Sequence, residues 1–199
     1  MLDRTIPFFN TILRCDQYKN TKITLPPGFS FRMFQKGDEK LWAALEYEIG
    51  DFNSLEEAEN YFISTYCSNE NELRKRCLFV INASNKVVGS CIAWHDKKGT
   101  ENVASLHWLV VSPSYQGQKL GKALCQKTME IFQSLQEMPV YIHTQPWSYK
   151  AILLYINMGF QLQKQDTFAN YKNQYEDTMR TLKNILNESQ YDLLVSHSI

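Results

Sequence analysis

The chain has 199 residues, 44% hydrophobic and 21% charged, a composition expected of a soluble folded protein and not of a disordered or collagen-like one. Lysine plus arginine equals aspartate plus glutamate at 21 each, so no global field draws the chain to nucleic acid or to an anionic membrane. The N-terminal stretch is interrupted by Asp3, Arg4 and Arg14 and lacks the pattern of a secretory signal, and no apolar run reaches the roughly 18 residues of a membrane span.

Residues 1–27 read as irregular and end in the turn signal "LPPG". "FSFRMF" alternates like a strand. "GDEKLWAALEYEIG" reads as a helix capped by Asp38, with Leu41, Trp42, Leu45 and Ile49 on one face. A second helix starts at Ser54, with Glu57 three residues on and a stripe of Leu55, Ala58, Phe62 and Tyr66. "SNENELRKR" reads as a solvated connection. Cys77 to Asn82 and Lys86 to His95 read as a hairpin turning around Ala83 to Asn85. "VASLHWLVV" is the most strand-like segment, and Pro113 ends it. From Gly117 to Leu135 the positions Leu120, Ala123, Leu124, Ile131 and Leu135 follow helical spacing. "VYIHTQ" is a short strand, "SYKAILLYINM" a helix stopped by Gly159, and "FQLQKQDTF" a further strand candidate. The last thirty residues read as helical to about Asn187 and frayed beyond. No repeat or linker appears, so one α/β domain is expected over 1–199.

The stretch "SPSYQGQKLGKAL" lies where the strand pattern stops and the long helix begins. The first amides of a helix lack intrahelical acceptors, and the helix dipole adds partial positive charge there. Gly117 and Gly121 carry no Cβ to block an anion, and Gln116, Gln118 and Lys119 offer side-chain donors. The spacing matches neither a Walker loop nor a dinucleotide-binding G-x-G-x-x-G, and an equally simple reading is a glycine-eased helix entry. The G-x-S-x-G elbow of a Ser–His–Asp hydrolase is absent. No grouping of metal-ligand residues has convincing spacing, so no metal is expected. The five cysteines, without a CxxC pair, are expected to be reduced in a cytoplasmic protein.

"SLHWLVVSPSYQGQKLGKAL" followed by "IHTQPWSYKAILLYINMGF" resembles the GNAT superfamily of acetyl-CoA-dependent N-acetyltransferases. The first segment is similar to its [QR]-x-x-G-x-[GA] pyrophosphate signature, with Gln116 and Gly121 in register and Lys119 where the family has glycine. The second is similar to its N-x-x-A-x-x-x-Y-x-x-x-G-F element, with Ser148 in the asparagine position and Ala151, Tyr155, Gly159 and Phe160 in register. The resemblance covers roughly 28–168 and leaves an N-terminal extension (1–27) and a C-terminal helical extension (about 170–199). "HTQPWSYKAI" further resembles a bacterial subgroup of the superfamily.

The resemblance implies a mixed, mostly antiparallel sheet flanked by helices and splayed between two parallel strands. It implies acetyl-CoA as co-substrate, with Leu109, Val110 and Val111 on one splayed strand and Val140 to Thr144 on its neighbour. Gln116, Gly117, Gln118, Lys119, Leu120, Gly121 and Lys122 would then hold the diphosphate, with Ser148 and Ala151 also at the cofactor. Ser148 could donate there or cap its helix. Tyr155 is the candidate general acid, since a phenol titrating near about 10 can protonate a departing thiolate. His107 is the candidate general base and Glu46 its rival. Glu48 fits a solvated face, His143 could shape the site, and His95 is expected to be structural or exposed. Trp94, Trp108 and Trp147 could wall an acceptor slot or simply fill core. The implied acceptor is a primary amine of a small molecule or protein, with no nucleic-acid or membrane partner, in a monomer or homodimer. The alternative is a non-catalytic acyl-CoA-binding sensor or interaction module.

Overall fold

Runs of strands and runs of helices follow one another along the chain in the computed structural model, which describes residue 3 and residues 5–199. Met1, Leu2 and Arg4, part of the stretch expected to be irregular, lie outside the described residues. The strands are β1 (Thr11–Cys15), β2 (Phe29–Met33), β3 (Cys77–Asn82), β4 (Val87–Lys98), β5 (Glu101–Val111), β6 (Val140–Thr144) and β7 (Gln161–Leu162). The α-helices are α1 (Glu39–Ile49), α2 (Leu55–Tyr66), α3 (Glu70–Arg76), α4 (Leu120–Ser134), α5 (Tyr149–Asn157), α6 (Tyr175–Lys183) and α7 (Glu188–Ser196). The strand order of the mixed sheet is β2-β3-β4-β5-β6-β1-β7. The chain divides into two compact units, and β4 and β5 run through both. Among the described residues no helix is long and apolar enough to cross a membrane.

The first unit comprises Asn20–Trp94 and Leu106–Ile131. Here β2, β3 and β4 pair antiparallel, with Phe31 opposite Val80 and Leu78 opposite Cys91. Trp42, Leu45, Phe62, Tyr66, Leu73, Phe79, Ile92 and Val110 belong to one buried cluster. Ser54 caps α2 as its spacing predicts: its Oγ accepts from the Glu57 N–H at 3.0 Å, and the Glu57 carboxylate accepts from the Asn53 N–H at 2.9 Å. Asp38 precedes α1 but does not cap it. Its carboxylate instead accepts from Arg32 at 2.7 and 3.0 Å and from the Gln35 N–H at 2.7 Å. Leu41 and Leu55, assigned above to apolar stripes, are exposed.

The segment expected to be a solvated connection contains α3. Its charges are the reason it folds: Arg74 pairs with Glu70 at 2.5 Å and Arg76 with Glu72 at 2.9 Å, both one turn apart, while Leu73 is buried. The long helix begins at Leu120, three residues later than the apolar spacing suggested.

The second unit comprises the N-terminal segment to Lys19, His95–Ser105 and Phe132–Ile199. The N-terminal extension is not irregular throughout, because β1 pairs antiparallel with β6 on one side and with β7 on the other. Ile12, Leu13 and Cys15 are buried. The expected strand after Gly159 shortens to Gln161–Leu162. Beyond it, Asn173 Nδ2 donates to the carbonyls of Gln163 and Asp166, 2.8 Å each, so side-chain bonds replace a ladder.

The C-terminus does not fray after Asn187. Asn187 and Gln190 form a capping box that starts α7. The Ile199 N–H then donates to the Leu162 carbonyl at 2.9 Å, tying the end of the chain to β7.

Candidate active site

The anion-binding features expected of residues 116–122 belong to the first unit. A short 3₁₀ turn, Pro113–Tyr115, follows β5. Gly117 has φ 79° and Lys119 φ 65°, so the loop makes two left-handed steps before α4. Gly117 is suited to that conformation; Lys119 adopts it at a cost of about 1 kcal/mol. The Ala123 N–H donates to the Lys119 carbonyl at 3.1 Å, closing the first turn, while the amides of Leu120, Gly121 and Lys122 precede any i−4 acceptor within the helix. A Cβ on Gly121 would meet only Val111 Cγ2, at 3.7 Å, so protein packing leaves room for a methyl group there. That room, beside amides at a helix start, fits a diphosphate oxygen.

Gln116 is engaged differently from expectation, since its Nε2 donates to the Val111 carbonyl at 3.0 Å and braces the loop. Gln118, Lys119 and Lys122 are exposed, Leu120 and Val110 are buried, and Leu109 and Val111 are half-buried.

β5 carries a feature that the sequence did not reveal. Trp108 has φ 51°, a left-handed residue inside a strand. Consecutive side chains on a regular strand point to opposite faces. Here both His107 and Trp108 meet α2. His107 Nδ1 lies 2.8 Å from Tyr66 Oη of α2, and the Trp108 ring lies 5.4 Å from those of Trp42 on α1 and Tyr61 on α2. Tyr66 is fully buried, so it fixes the imidazole from a rigid base. Trp94 also packs on Tyr66, edge to face at 5.1 Å.

Glu46 is 1% exposed, and neither of its carboxylate oxygens has a hydrogen-bond partner among the described residues. Burial, reinforced by the negative charge of Asp51, pushes this carboxyl well above the usual carboxylate range. Glu48 is exposed, as expected.

The remaining candidates belong to the second unit. The parallel ladder of β5 with β6 consists of Ala104↔Val140 and Ser105↔Tyr141. β6 runs on through Thr144, paired on its other side with β1. At the start of α5, Ser148 does not cap the helix; its Oγ accepts from Gln145 Nε2 at 2.9 Å. Ala151 is half-buried, and Tyr155, one turn further on, is 5% exposed with its ring 5.8 Å from Phe160. His143 Nε2 lies 2.9 Å from Asn10 Oδ1, and its ring stacks on Tyr171 at 3.7 Å. Trp147 packs on Phe8 at 5.4 Å. His95 pairs with Glu137 at 3.0 Å, a structural role. Sequence reasoning missed Asn10, Phe8 and Tyr171 because all three lie outside the recognised motifs.

The acetyltransferase (GNAT) family model matches residues 38–160, more than half of the chain, and the chain belongs to that family. No curated protein sequence matches it. A GCN5-related N-acetyltransferase from Sphaerobacter thermophilus is similar in structure, with a TM-score of 0.60 and 16% identity over 80% of this chain and 51% of that one. The chain thus spans about half the length of that protein. An acetyltransferase from Trypanosoma brucei superposes with a TM-score of 0.52 and 22% identity, over 70% of this chain and 96% of that one. A mutant spermidine N-acetyltransferase from Vibrio cholerae gives 0.51 and 17%, over 67% and 80%. At these identities the likeness is one of fold.

Proposed function

We propose that the protein is an N-acetyltransferase that moves an acetyl group from acetyl-CoA directly to a primary amine of a small molecule or protein. The observation that carries this reading is the family match across residues 38–160, a span that contains both motif segments. Acetyl-CoA, as co-substrate, supplies the acyl thioester. The amides of Leu120, Gly121 and Lys122, with the Lys119 ammonium, hold its diphosphate. Leu109, Val110 and Val111 offer strand backbone to the pantetheine arm, and the Ser148 hydroxyl, which accepts from Gln145, retains a proton to donate. Holding both reactants in place is worth roughly 7 to 11 kcal/mol in favourable cases.

His107 takes the proton from the acceptor ammonium. In the tautomer whose Nδ1–H donates to Tyr66 Oη, 2.8 Å away, Nε2 is the basic nitrogen. Tyr155 donates its phenolic proton to the departing sulfur as the carbon–sulfur bond breaks, and the proton that the attacking nitrogen loses on amide formation restores the phenol through solvent.

The test is an acetyl-CoA-dependent amine screen with thiol detection, run on wild type and Tyr155→Phe. The variant should lose at least tenfold in kcat while binding acetyl-CoA within about threefold of wild type, a loss of about 1.4 kcal/mol or more in transition-state stabilisation. Equal losses in both quantities, or none, would remove Tyr155 from the reaction. Tight acetyl-CoA binding with no thiol release across the panel would favour the non-catalytic module, the reading that the Lys119 and Ser148 departures motivate.

A further inference from the structure

In the first unit, Trp42 of α1, one turn before Glu46, packs with three further aromatic rings. Trp42, Phe52, Tyr61 and Trp108 pack so that every pair of ring centroids is 5.4 to 6.1 Å apart. Trp42 is fully buried, while Phe52, Tyr61 and Trp108 are half-buried and reach the surface. Glu46 follows Trp42 by one helical turn on the same buried face of α1. The turn after α1 returns to it: the Asp51 N–H donates to the Glu46 carbonyl at 3.1 Å, and Phe52 is the next residue.

Two polar groups of this face are unmet among the described residues. One is the Glu46 carboxyl; the other is the Trp42 indole N–H. Leaving a buried carboxyl without a hydrogen bond is costly, and nothing in the packing of α1 requires an acid there. An aliphatic residue would fill the same place between Leu45 and Ile49. The ring faces, by contrast, attract cations, and a buried carboxylate is the strongest partner a cation can find.

We propose that Glu46 recognises the acceptor, its carboxyl taking the ammonium of an organic cation whose apolar body lies against Phe52, Tyr61 and Trp108. The substrate class is therefore an alkyl- or arylalkylamine, as a free molecule or a side chain, rather than a hydroxylic or acidic acceptor. This assignment deepens the acetyl-transfer reading and rests on it for the word acceptor, but the cation site stands on Glu46 and the rings alone.

Binding then carries a proton balance. In the empty site burial, and then the charge of Asp51, favour the neutral carboxyl; the Cys91 thiol also senses Glu46. When an ammonium binds, the carboxyl ionises to form the ion pair, and its proton goes to solvent. A neutral ligand of the same shape releases none.

The probes are 2-phenylethylammonium and its neutral counterpart 2-phenylethanol, titrated without acetyl-CoA, alone and with coenzyme A added. Tryptophan fluorescence reads binding, and an indicator dye in weak buffer at pH 5 to 6 reads proton release. Wild type should bind the ammonium at least tenfold more tightly than the alcohol and release protons as it does so, which the alcohol should not cause. Glu46→Gln should bind both alike and release none. Its melting temperature should also exceed that of wild type, by a margin that grows as pH rises above the ordinary carboxylate range, because a carboxyl held above its unfolded value destabilises the fold as pH rises toward its folded value.

Wild type that does not distinguish ammonium from alcohol, or a Glu46→Gln protein that still does, overturns the proposal. The wild-type comparison decides even if the variant fails to fold. Ammonium binding with proton release but no acetyl transfer would sink the enzymatic reading alone, and transfer without a cation preference would sink this one alone.

Discussion

Gly121→Ala separates what the start of α4 does for folding from what it does for binding. The added methyl meets a single heavy atom within 4 Å, Val111 Cγ2 at 3.7 Å, an ordinary contact. Alanine exceeds glycine in helix propensity by up to about 1 kcal/mol in a helix interior and by less in a first turn, so the apo variant should melt at the wild-type temperature or a few degrees above it. Helical Cβ atoms tilt toward the N-terminus, so the same methyl points to where a diphosphate oxygen would approach the amides. A tenfold loss of acetyl-CoA affinity corresponds to about 1.4 kcal/mol. At a ligand concentration of about 100 wild-type Kd, acetyl-CoA stabilises wild type by about 2.7 kcal/mol and a tenfold weaker variant by only about 1.4. Thermal melts with and without acetyl-CoA should therefore show the apo curve holding or rising while the ligand-induced increment falls by about half. An unchanged increment in the variant would refute the reasoning, because a diphosphate held at that helix end must feel the methyl group.

Lys119→Gly relieves a left-handed side-chain cost of about 1 kcal/mol and incurs a similar unfolded-state entropy, so its stability should stay within about 1 kcal/mol of wild type. Its acetyl-CoA affinity should fall several-fold at low salt and converge with wild type at high salt, where the ammonium is screened; equal affinity at low salt would exclude Lys119 from the phosphate. Asp166 gives an acid-side prediction. Burial pushes its carboxyl up, but Lys98 at 2.5 Å, Tyr141 at 2.9 Å and Arg14 at 2.9 Å together pull it down from 3.8 to about 2. A depressed folded value means stability that is present above the unfolded value and lost as pH falls from about 4 to about 2, worth roughly 2 kcal/mol. Asp166→Asn should be destabilised by about that amount at pH 7 and melt with a flatter profile below pH 4; a parallel profile would show that the carboxylate contributes nothing there.

The legible parts of the sequence were those whose local pattern and tertiary setting agree. Ser54 and Glu57 cap α2 as their spacing says, and the hairpin of β3 and β4 turns near Asn85, whose φ is 61°. β1 was hidden because an interior strand loses its alternation: Thr11, Ile12 and Leu13 are all buried, so no polar face marks the period. α3 was hidden because its stabilising pairs look like ordinary surface charge until they are placed one turn apart. Asp38 was misread because Arg32 and the Gln35 N–H claim its carboxylate, a choice that depends on β2 lying alongside. The motif residues of the candidate site were readable by resemblance, but Trp108 was not, since nothing in "LHWLVV" announces a left-handed residue within a strand.

Lys119 shows why the departures from the motif do not weaken it in the way a pattern comparison suggests. A glycine is useful at that position because the backbone must turn left-handed, and Lys119 makes the turn anyway at φ 65°. The left-handed step that a glycine would make easily is thus made by a lysine, at a strain of about 1 kcal/mol. Trp108 and Glu46 depart from local rules in the same unit, one by its φ of 51° and the other by its buried, unmet carboxyl. Sequences are locally consistent where only folding is at stake, so exceptions gathered on β5, α1 and the entry to α4 mark these elements as the ones whose substitution should test binding apart from packing.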